Sequence, residues 1–352
     1  MTQRTKNDGE ATLLRRAATW SAHPSWRSLT VGALQDLAAY EGIDFATALL
    51  YDRIVRSREH GPFIQRVVSS IDDESSIGSA PKLALVPGAC YREYPQTGAD
   101  GGRLREAAGQ CGLSIETIPI ASLGPTSQNA QTIGDWLQNH ATSDSAIVSL
   151  SKGGADIKRA LDRPGAAELF CHVRLWISLS GILFGTPAAG WFLRRPIWRL
   201  ILRVLCWRHG FAFSVLRELD RSPTGPLAGE LQIPDGLIAV HVVGFPLERH
   251  LSSRRAKLGH RRLASMGPND GGGILLGDLS RLPGLIFPVW GADHYLEPLW
   301  DIRPLIRRIL LEGIRLATKT SRSSESLFSE RGDDELSWHP DETAADVATL
   351  SR

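Results

Sequence analysis

Short apolar segments alternate with amphipathic segments along most of the chain, and this alternation constrains the fold more than any other feature. Six apolar runs of strand length recur from residue 83 onward: 83–86, 115–120, 146–150, 175–179, 237–243 and 285–289. Between most of them, segments such as 102–111 and 132–140 carry apolar residues at helical spacing. Nearly continuous apolar strands that alternate with helices are typical of a parallel sheet covered by helices on both faces. The sequence therefore predicts an α/β fold with a mostly parallel sheet.

The segments outside this alternation suggest the domain organisation. We expect an N-terminal helical extension and linker at 1–81, a main domain at 82–319 and a tail at 320–352. Within the extension, residues 1–28 are predicted to be loosely ordered, and two helices are expected between 30 and 57, broken at Gly42. We interpret residues 70–81 as a polar linker. The tail is rich in Ser, Asp and Glu, which predicts disorder.

Composition narrows the class of protein. The chain has 352 residues, a net charge of +2 and four widely spaced cysteines. The charge balance gives no reason to expect nucleic-acid binding, and the cysteines lack metal-ligand spacing. A polar N-terminus and the lack of an apolar run of about 18 residues favour a cytoplasmic protein that is not integral to a membrane.

The stretch AIVSLSKGGADI, residues 146–157, changes from strand-like to helix-like within a few residues. Such a sharp reversal needs glycine, because glycine tolerates close backbone approach without a side-chain clash. Gly153 and Gly154 supply it, and Ser151 would lie at the tip of the turn. This serine is a candidate nucleophile.

Other polar turns follow neighbouring strands of the predicted sheet. Gly88-Ala89-Cys90 follows the first strand, Asn269-Asp270-Gly271 comes after the fifth, and Gly291-Ala292-Asp293-His294 follows the last. In an open parallel sheet, functional groups gather at the carboxyl ends of the strands. A serine hydroxyl needs an imidazole to accept its proton, and the imidazole needs a carboxylate to orient it.

In these motifs the chain resembles α/β-hydrolases of the bacterial lipase and esterase type, over residues 82–318. Ser149-Leu150-Ser151-Lys152-Gly153 is similar to the nucleophile elbow G-x-S-x-G, with Ser149 in place of the first glycine. The Ser, Asp and His turns occur in the family's order. The stretch 178–187 resembles the loop that leads to the lid in such lipases.

The resemblance implies roles for five residues. Ser151 would be the nucleophile, His294 the base and Asp270 the acid of a catalytic triad, with the N–H groups of Ala89 and Lys152 as the oxyanion hole. The implied reaction is hydrolysis of a carboxylic ester through an acyl-serine intermediate, with no cofactor and no metal. Thioester hydrolysis and acyl transfer use the same groups and stay open.

Two further alternatives stay open at this point. Glu248 is nearer to its strand than Asp270 is and is the alternative acid, whereas Asp293 suits a capping role. The departure at Ser149 and the long separation of Asp270 from its strand also allow a non-catalytic, membrane-peripheral protein with the same fold.

An insertion at about 186–234 interrupts the alternation. Within 191–211, Arg195, Arg199 and Arg203 recur every four residues, which places them on one helical face among apolar residues and tryptophans. One interpretation is a helical cap whose apolar residues face the substrate cleft. The other is a lid whose basic, Trp-containing surface contacts anionic lipid. Both predict an apolar roof over Ser151, and hence an ester substrate with a hydrophobic acyl group, including lipids.

Overall fold

A computed structural model describes residues 3–70, 81–142, 145–296 and 300–326, with side chains from residue 9 to residue 320 of these ranges. Six strands form one sheet in the order β2-β1-β3-β4-β5-β6, and every neighbouring pair is parallel. The strands are β1 Leu83–Val86, β2 Ile115–Thr117, β3 Ser145–Leu150, β4 Val173–Leu179, β5 Ile238–Phe245 and β6 Leu285–Trp290. All six predicted strands are confirmed, although β2 ends three residues early.

Thirteen α-helices connect and cover the strands of the described chain. Four precede the sheet: α1 Gln3–Thr19, α2 Val31–Glu41, α3 Ile43–Val55 and α4 Gly61–Ser69. The next four lie between β1 and the insertion: α5 Gly102–Gly109, α6 Thr126–His140, α7 Lys152–Leu161 and α8 Ala166–Leu169. Helix α9, Pro187–Leu193, begins the insertion. The last four are α10 Pro196–His209, α11 Ser214–Glu218, α12 Arg254–Leu263 and α13 Arg303–Ser326.

Strand β4 shows why the predicted strands are apolar throughout. Successive side chains of a strand point to opposite faces of the sheet. Leu175 and Ile177 face α13, where a Cβ added at Gly313 would lie 3.1 Å from Leu175. Trp176 faces the other way and packs edge-on against His241. Because both faces are buried, neither can carry the polar residues of a solvated strand.

The prediction that residues 1–28 are loosely ordered is wrong. Residues 3–19 form α1, and its carboxyl end is held by the half-buried Arg53 of α3, which donates to Ala17 O at 3.3 Å and to His23 O at 2.9 Å. A helix end leaves carbonyl groups without partners inside the helix, and the Arg53 guanidinium supplies donors for them. The two helices expected between 30 and 57 are confirmed as α2 and α3, with the break at Gly42.

The N-terminal helices pack on the sheet's own core. The ring of Tyr51 in α3 lies 4.7 Å from that of Trp290 and 5.9 Å from that of Phe245. Glu10 of α1 accepts a hydrogen bond from His250 Nε2 at 2.9 Å, and Trp290 Nε1 donates to it at 3.4 Å. The extension therefore shares one continuous core with the last two strands.

The predicted linker and tail fall mostly outside the described residues. Positions 71–80 and 327–352 are not described, so the disorder predicted for the tail stays a prediction there. Its first residues differ from the expectation, because α13 continues to Ser326. Serines in 320–326 extend a helix that has already formed, and propagation is less demanding than nucleation.

The insertion forms α9, α10 and α11, but α10 does not turn its apolar residues toward a cleft. Ile197 is 73% exposed, Leu200 64% and Trp207 83%, and Cys206 is the one residue of α10 that is buried. The inward-facing cap expected from the apolar residues of 191–211 is therefore wrong for this helix. None of the described helices has the length and apolarity needed to cross a bilayer.

Candidate active site

Ser151 occupies a strained turn between β3 and α7. Its φ of 48° and ψ of −111° lie in a region that residues with a side chain rarely adopt. The turn needs Gly153, since a Cβ there would lie 2.5 Å from Val86 O and 2.7 Å from Pro87 O. The surrounding structure thus forces Ser151 to project from the carboxyl end of the sheet.

The serine that departs from the usual elbow motif has a partner. Ser149 is fully buried, and its hydroxyl accepts a hydrogen bond from Trp176 Nε1 at 2.9 Å. A buried indole N–H without an acceptor would carry a desolvation cost of about 1–3 kcal/mol. Ser149 therefore provides what glycine could not, and the departure is compatible with the turn.

The structure brings Ser151, His294 and Asp270 into one hydrogen-bonded chain. Ser151 Oγ lies 2.9 Å from His294 Nε2, and His294 Nδ1 lies 2.5 Å from Asp270 Oδ2. With Nδ1 donating to the carboxylate, Nε2 is left as the acceptor that faces the serine hydroxyl. The three residues come from turns separated by 143 and 24 positions in the sequence.

The carboxylate of Asp270 is fixed on both oxygens. Oδ1 accepts hydrogen bonds from the backbone N–H groups of Gly272, Gly273 and Ile274 at 2.9–3.0 Å, while Oδ2 faces His294. The backbone N–H of His294 also donates to Asp270 O at 2.7 Å. These bonds hold the two loops together and leave the carboxylate little freedom to turn away.

Asp270 and His294 shift each other's pKa values in opposite directions. Burial raises the pKa of Asp270, but the charge of His294 and the hydrogen bonds to the carboxylate outweigh it, so the pKa falls below its usual value. Burial lowers the pKa of His294, yet the charge and hydrogen bond of Asp270 exceed this effect and raise the pKa overall. The site therefore favours an imidazolium next to a carboxylate.

The alternative acid lies elsewhere. Glu248 has a side chain that is 58% exposed, and it pairs with Arg261 at 3.4 Å rather than with His294. Asp293 accepts a hydrogen bond from the backbone N–H of Tyr295 at 2.9 Å, which agrees with the capping role expected for it. Of the three carboxylates considered, only Asp270 is hydrogen-bonded to His294.

The turn after β1 leaves one N–H group available near the serine. Gly88 N–H donates to Ala99 O and Cys90 N–H donates to Ser122 O, whereas no described residue accepts from Ala89 N–H. Lys152 begins α7, so its N–H has no partner inside that helix. A Cβ at Gly88 would lie 3.5 Å from Leu150 O, which shows how close this turn comes to the Ser151 turn.

The side chain of Lys152 has a role that sequence reasoning missed. Its ammonium is buried and donates to both carboxylate oxygens of Asp156 at 2.8 and 2.9 Å, and Asn129 Nδ2 donates to the same carboxylate at 2.9 Å. The spacing of four residues on a helix is the signal that could have indicated this pair. The network fixes the first turn of α7, which carries the Lys152 N–H.

The turn after β1 carries a thiol, that of Cys90, which is a weaker candidate for the nucleophile than Ser151. Cys90 lies in the turn after β1, but burial, helped by the charge of Glu93, raises the pKa of its thiol to about 11. The thiol therefore stays protonated at neutral pH and is a poor nucleophile. Within the described ranges, no three His, Cys, Asp or Glu side chains are grouped as metal ligands.

Gly272 offers a test of how the imidazole is positioned. A Cβ at Gly272 would lie 2.2 Å from His294 Cβ, so Gly272→Ala must displace the ring, whereas the nearest atoms to a Cβ at Gly273 are 3.4 Å away. A shift of about 1 Å in a reacting group can cost about 100-fold in rate. We expect Gly272→Ala to lose about 100-fold in kcat for ester hydrolysis and Gly273→Ala to lose much less. Equal rates in the two variants would contradict this account of His294.

Comparison with known proteins identifies the fold. The sequence matches no family model and no curated protein. The structure resembles that of a metagenomic carboxyl esterase with a TM-score of 0.52 at 17% identity, covering 84% of this chain and 91% of that one. It also matches the mature form of a Bacillus licheniformis lipase with a TM-score of 0.46 at 16% identity, covering 73% and 95%. The parallel sheet, the strained serine turn and the likeness to the esterase show that the chain has the α/β-hydrolase fold.

Proposed function

We propose that this protein is a serine hydrolase that cleaves carboxylic esters through an acyl-serine intermediate. The observation that carries the proposal is the continuous hydrogen-bonded chain from Ser151 through His294 to Asp270, with the serine held at a φ of 48°. Strained backbone at the end of a parallel strand is typical of a site that must hold one side chain in place. The likeness of the fold to that of a carboxyl esterase agrees with it.

In the proposed reaction Ser151 attacks the ester carbonyl while His294 Nε2 accepts the hydroxyl proton. The imidazolium that forms is stabilised by Asp270, whose second oxygen is held by backbone N–H groups and so stays turned toward His294. His294 then returns the proton to the alcohol that leaves. A water molecule, activated by the same imidazole, attacks the acyl-serine and releases the acid.

The oxyanion of each tetrahedral intermediate needs donors that are already in position. We assign the N–H groups of Ala89 and Lys152, because both lie beside the Ser151 turn and neither is engaged with a described acceptor. The loss of one such donor can raise the barrier by about 3 kcal/mol. The buried Lys152–Asp156 ion pair would keep one of these donors in place.

A panel of p-nitrophenyl esters of increasing acyl length tests the proposal. We expect hydrolysis by the full chain, with a preference for hydrophobic acyl groups. Parallel assays with acyl thioesters and with alcohol acceptors separate hydrolysis of esters from the thioesterase and acyltransferase alternatives, which use the same residues. If no ester in the panel is hydrolysed, the non-catalytic alternative replaces the enzyme.

We further infer that the 191–211 segment makes peripheral contact with lipid surfaces. Seven of the ten large hydrophobic residues exposed in the described chain belong to α10. An exposed apolar face of this extent on one helix indicates an interaction site. Arginines on the same helix suit an interfacial amphipathic helix rather than one that faces bulk water.

Cosedimentation with vesicles tests this contact. We expect the unmodified protein to bind vesicles that contain anionic lipid, and to bind less as salt rises, because salt screens the attraction of the arginines. Vesicles of neutral lipid at the same concentration are the control for the apolar contribution. No binding to either vesicle at low salt would contradict lipid contact by this segment.

A further inference from the structure

The apolar surface of α10 lies beside a concentration of positive charge. Residues 191–211 contain five arginines and no acidic residue, and α12 contains five basic residues and no acidic residue, although the whole chain has a net charge of only +2. Elements α9 and α12 are in contact. The two basic segments thus meet on one side of the molecule.

Trp191 is the residue on which the two segments converge. The guanidinium of Arg195 lies 3.9 Å from the centre of the Trp191 ring, and that of Arg262 lies 4.0 Å from it. Trp191 in turn contacts Trp198 of α10, with ring centres 6.1 Å apart. Two cations are therefore assembled on one indole at the border of the exposed apolar face.

This pair of cations has no carboxylate partner in the part of the chain that the structure describes. No carboxylate in the described ranges lies within ion-pair distance of Arg195 or Arg262. Burial and the charge of Arg195 lower the pKa of Arg262, so the two guanidinium groups oppose each other. A cluster of like charge on an aromatic ring, with no carboxylate, is suited to an external anion.

The cluster is on the same side of the molecule as the proposed active site. Arg255, two turns before Arg262 on α12, lies 3.6 Å from the ring centre of Tyr295, the neighbour of His294. Residues seven apart share one helical face and are separated by about 10 Å along the axis. A membrane lipid held at Trp191 would therefore lie on the side of the molecule that carries the His294 loop.

We propose that Arg195 and Arg262, assembled on Trp191, bind the phosphate of an anionic phospholipid in a bilayer on which the apolar face of α10 rests. The inference rests on the proposed lipid contact of 191–211 and adds the ligand group and the residues that recognise it. Guanidinium groups bind phosphate oxygens through paired hydrogen bonds, which gives a preference for a particular headgroup beyond general attraction. The adjoining exposed apolar residues favour a bilayer over a soluble phosphate or a nucleic acid, because neither of these would cover them.

A matched pair of double variants tests the site. Arg195→Gln/Arg262→Gln and Arg199→Gln/Arg208→Gln each remove two positive charges from the basic surface, but only the first removes the guanidinium groups on Trp191. Both are made in the Ser151→Ala chain, so that binding is measured without lipid turnover and independently of the proposed hydrolysis. Dissociation constants are measured at two salt concentrations for two kinds of vesicle, one of neutral lipid alone and one of neutral lipid mixed with the anionic lipid phosphatidylglycerol.

We expect the Arg195/Arg262 variant to bind the anionic vesicles at least about tenfold more weakly than the Arg199/Arg208 variant, because the loss of one hydrogen bond to a charged group has about this effect. The two variants should bind the neutral vesicles equally well. Equal weakening would show general attraction and overturn the site. Millimolar inorganic phosphate is added to the same binding assays. If phosphate weakens vesicle binding but the protein shows no preference for anionic over neutral vesicles, the cluster binds a soluble anion, and the proposed lipid site is overturned. A stable dimer that fails to bind vesicles would assign the face of α10 to a second copy. If the double variant does not fold, Arg195→Gln is compared with Arg199→Gln, because both side chains are exposed.

Discussion

Replacing His294 with alanine is expected to lower kcat for ester hydrolysis by about 10⁵- to 10⁶-fold while the fold is retained. Without the imidazole, no described residue within hydrogen-bond distance of Ser151 Oγ can accept its proton. Loss of one member of such a unit costs nearly as much as loss of all. The variant and the unmodified protein are compared by single-turnover hydrolysis of a p-nitrophenyl ester.

The matched control is His172→Ala. His172 is exposed and immediately precedes β4, so it lies at the opposite end of the sheet from the serine turn. Circular dichroism and thermal melting of both variants establish that the fold is intact. Activity in His294→Ala that is within tenfold of the control would remove His294 from the mechanism.

Replacing Asp270 with asparagine is expected to lower kcat by about 10³- to 10⁴-fold. The amide cannot stabilise the imidazolium, and it favours the wrong tautomer of His294. Glu248→Gln removes one carboxylate in the same way, but at an exposed position that pairs with Arg261, and it should retain activity. The reverse order of the two variants would make Glu248 the acid.

The pH dependence of the residual activity of Asp270→Asn tests the effect of Asp270 on His294 in a second way. The base must be neutral to accept a proton, and the pKa of His294 is raised above its usual value of about 6.5. Activity of the unmodified protein should therefore rise with pH through a midpoint above this value. Asp270→Asn removes the two largest effects that raise the pKa of His294, so burial outweighs the smaller effect of the Asp293 charge and the pKa falls. The midpoint of kcat/KM should therefore move to lower pH. An unchanged midpoint would show that Asp270 does not set the charge of His294.

The sheet could be predicted from the sequence because all of its strands except the edge strand β2 are buried on both faces. Each strand then appears as a short apolar run between amphipathic helices, as in β3 and β4, where local composition and tertiary environment agree. The candidate site was predictable for a related reason. The turns that hold Ser151, Asp270 and His294 depend on glycines such as Gly153 and Gly272, which are visible in the sequence.

The elements that were missed depend on contacts between distant residues. Helix α1 is polar. Arg53 holds its carboxyl end, and Glu10 contacts His250 and Trp290. None of these contacts produces a periodic pattern of apolar residues in the sequence. The periodicity of α10 places its arginines on one face but does not show which face meets the protein. That orientation depends on what the rest of the fold presents, and here it leaves Ile197 and Trp207 in solvent.

The central claim is that Ser151 is an activated nucleophile, and covalent labelling by a fluorophosphonate tests it most directly. The full chain is treated with the reagent, and the labelled peptide is identified by mass spectrometry. Ser180→Ala is the matched control, because Ser180 is a buried serine that also has a positive φ, of 47°, but has no histidine partner among the described residues. The account predicts a single label on Ser151 in the unmodified protein and in Ser180→Ala, and none in Ser151→Ala. Labelling that persists in Ser151→Ala, or an unmodified protein that does not react, would contradict it.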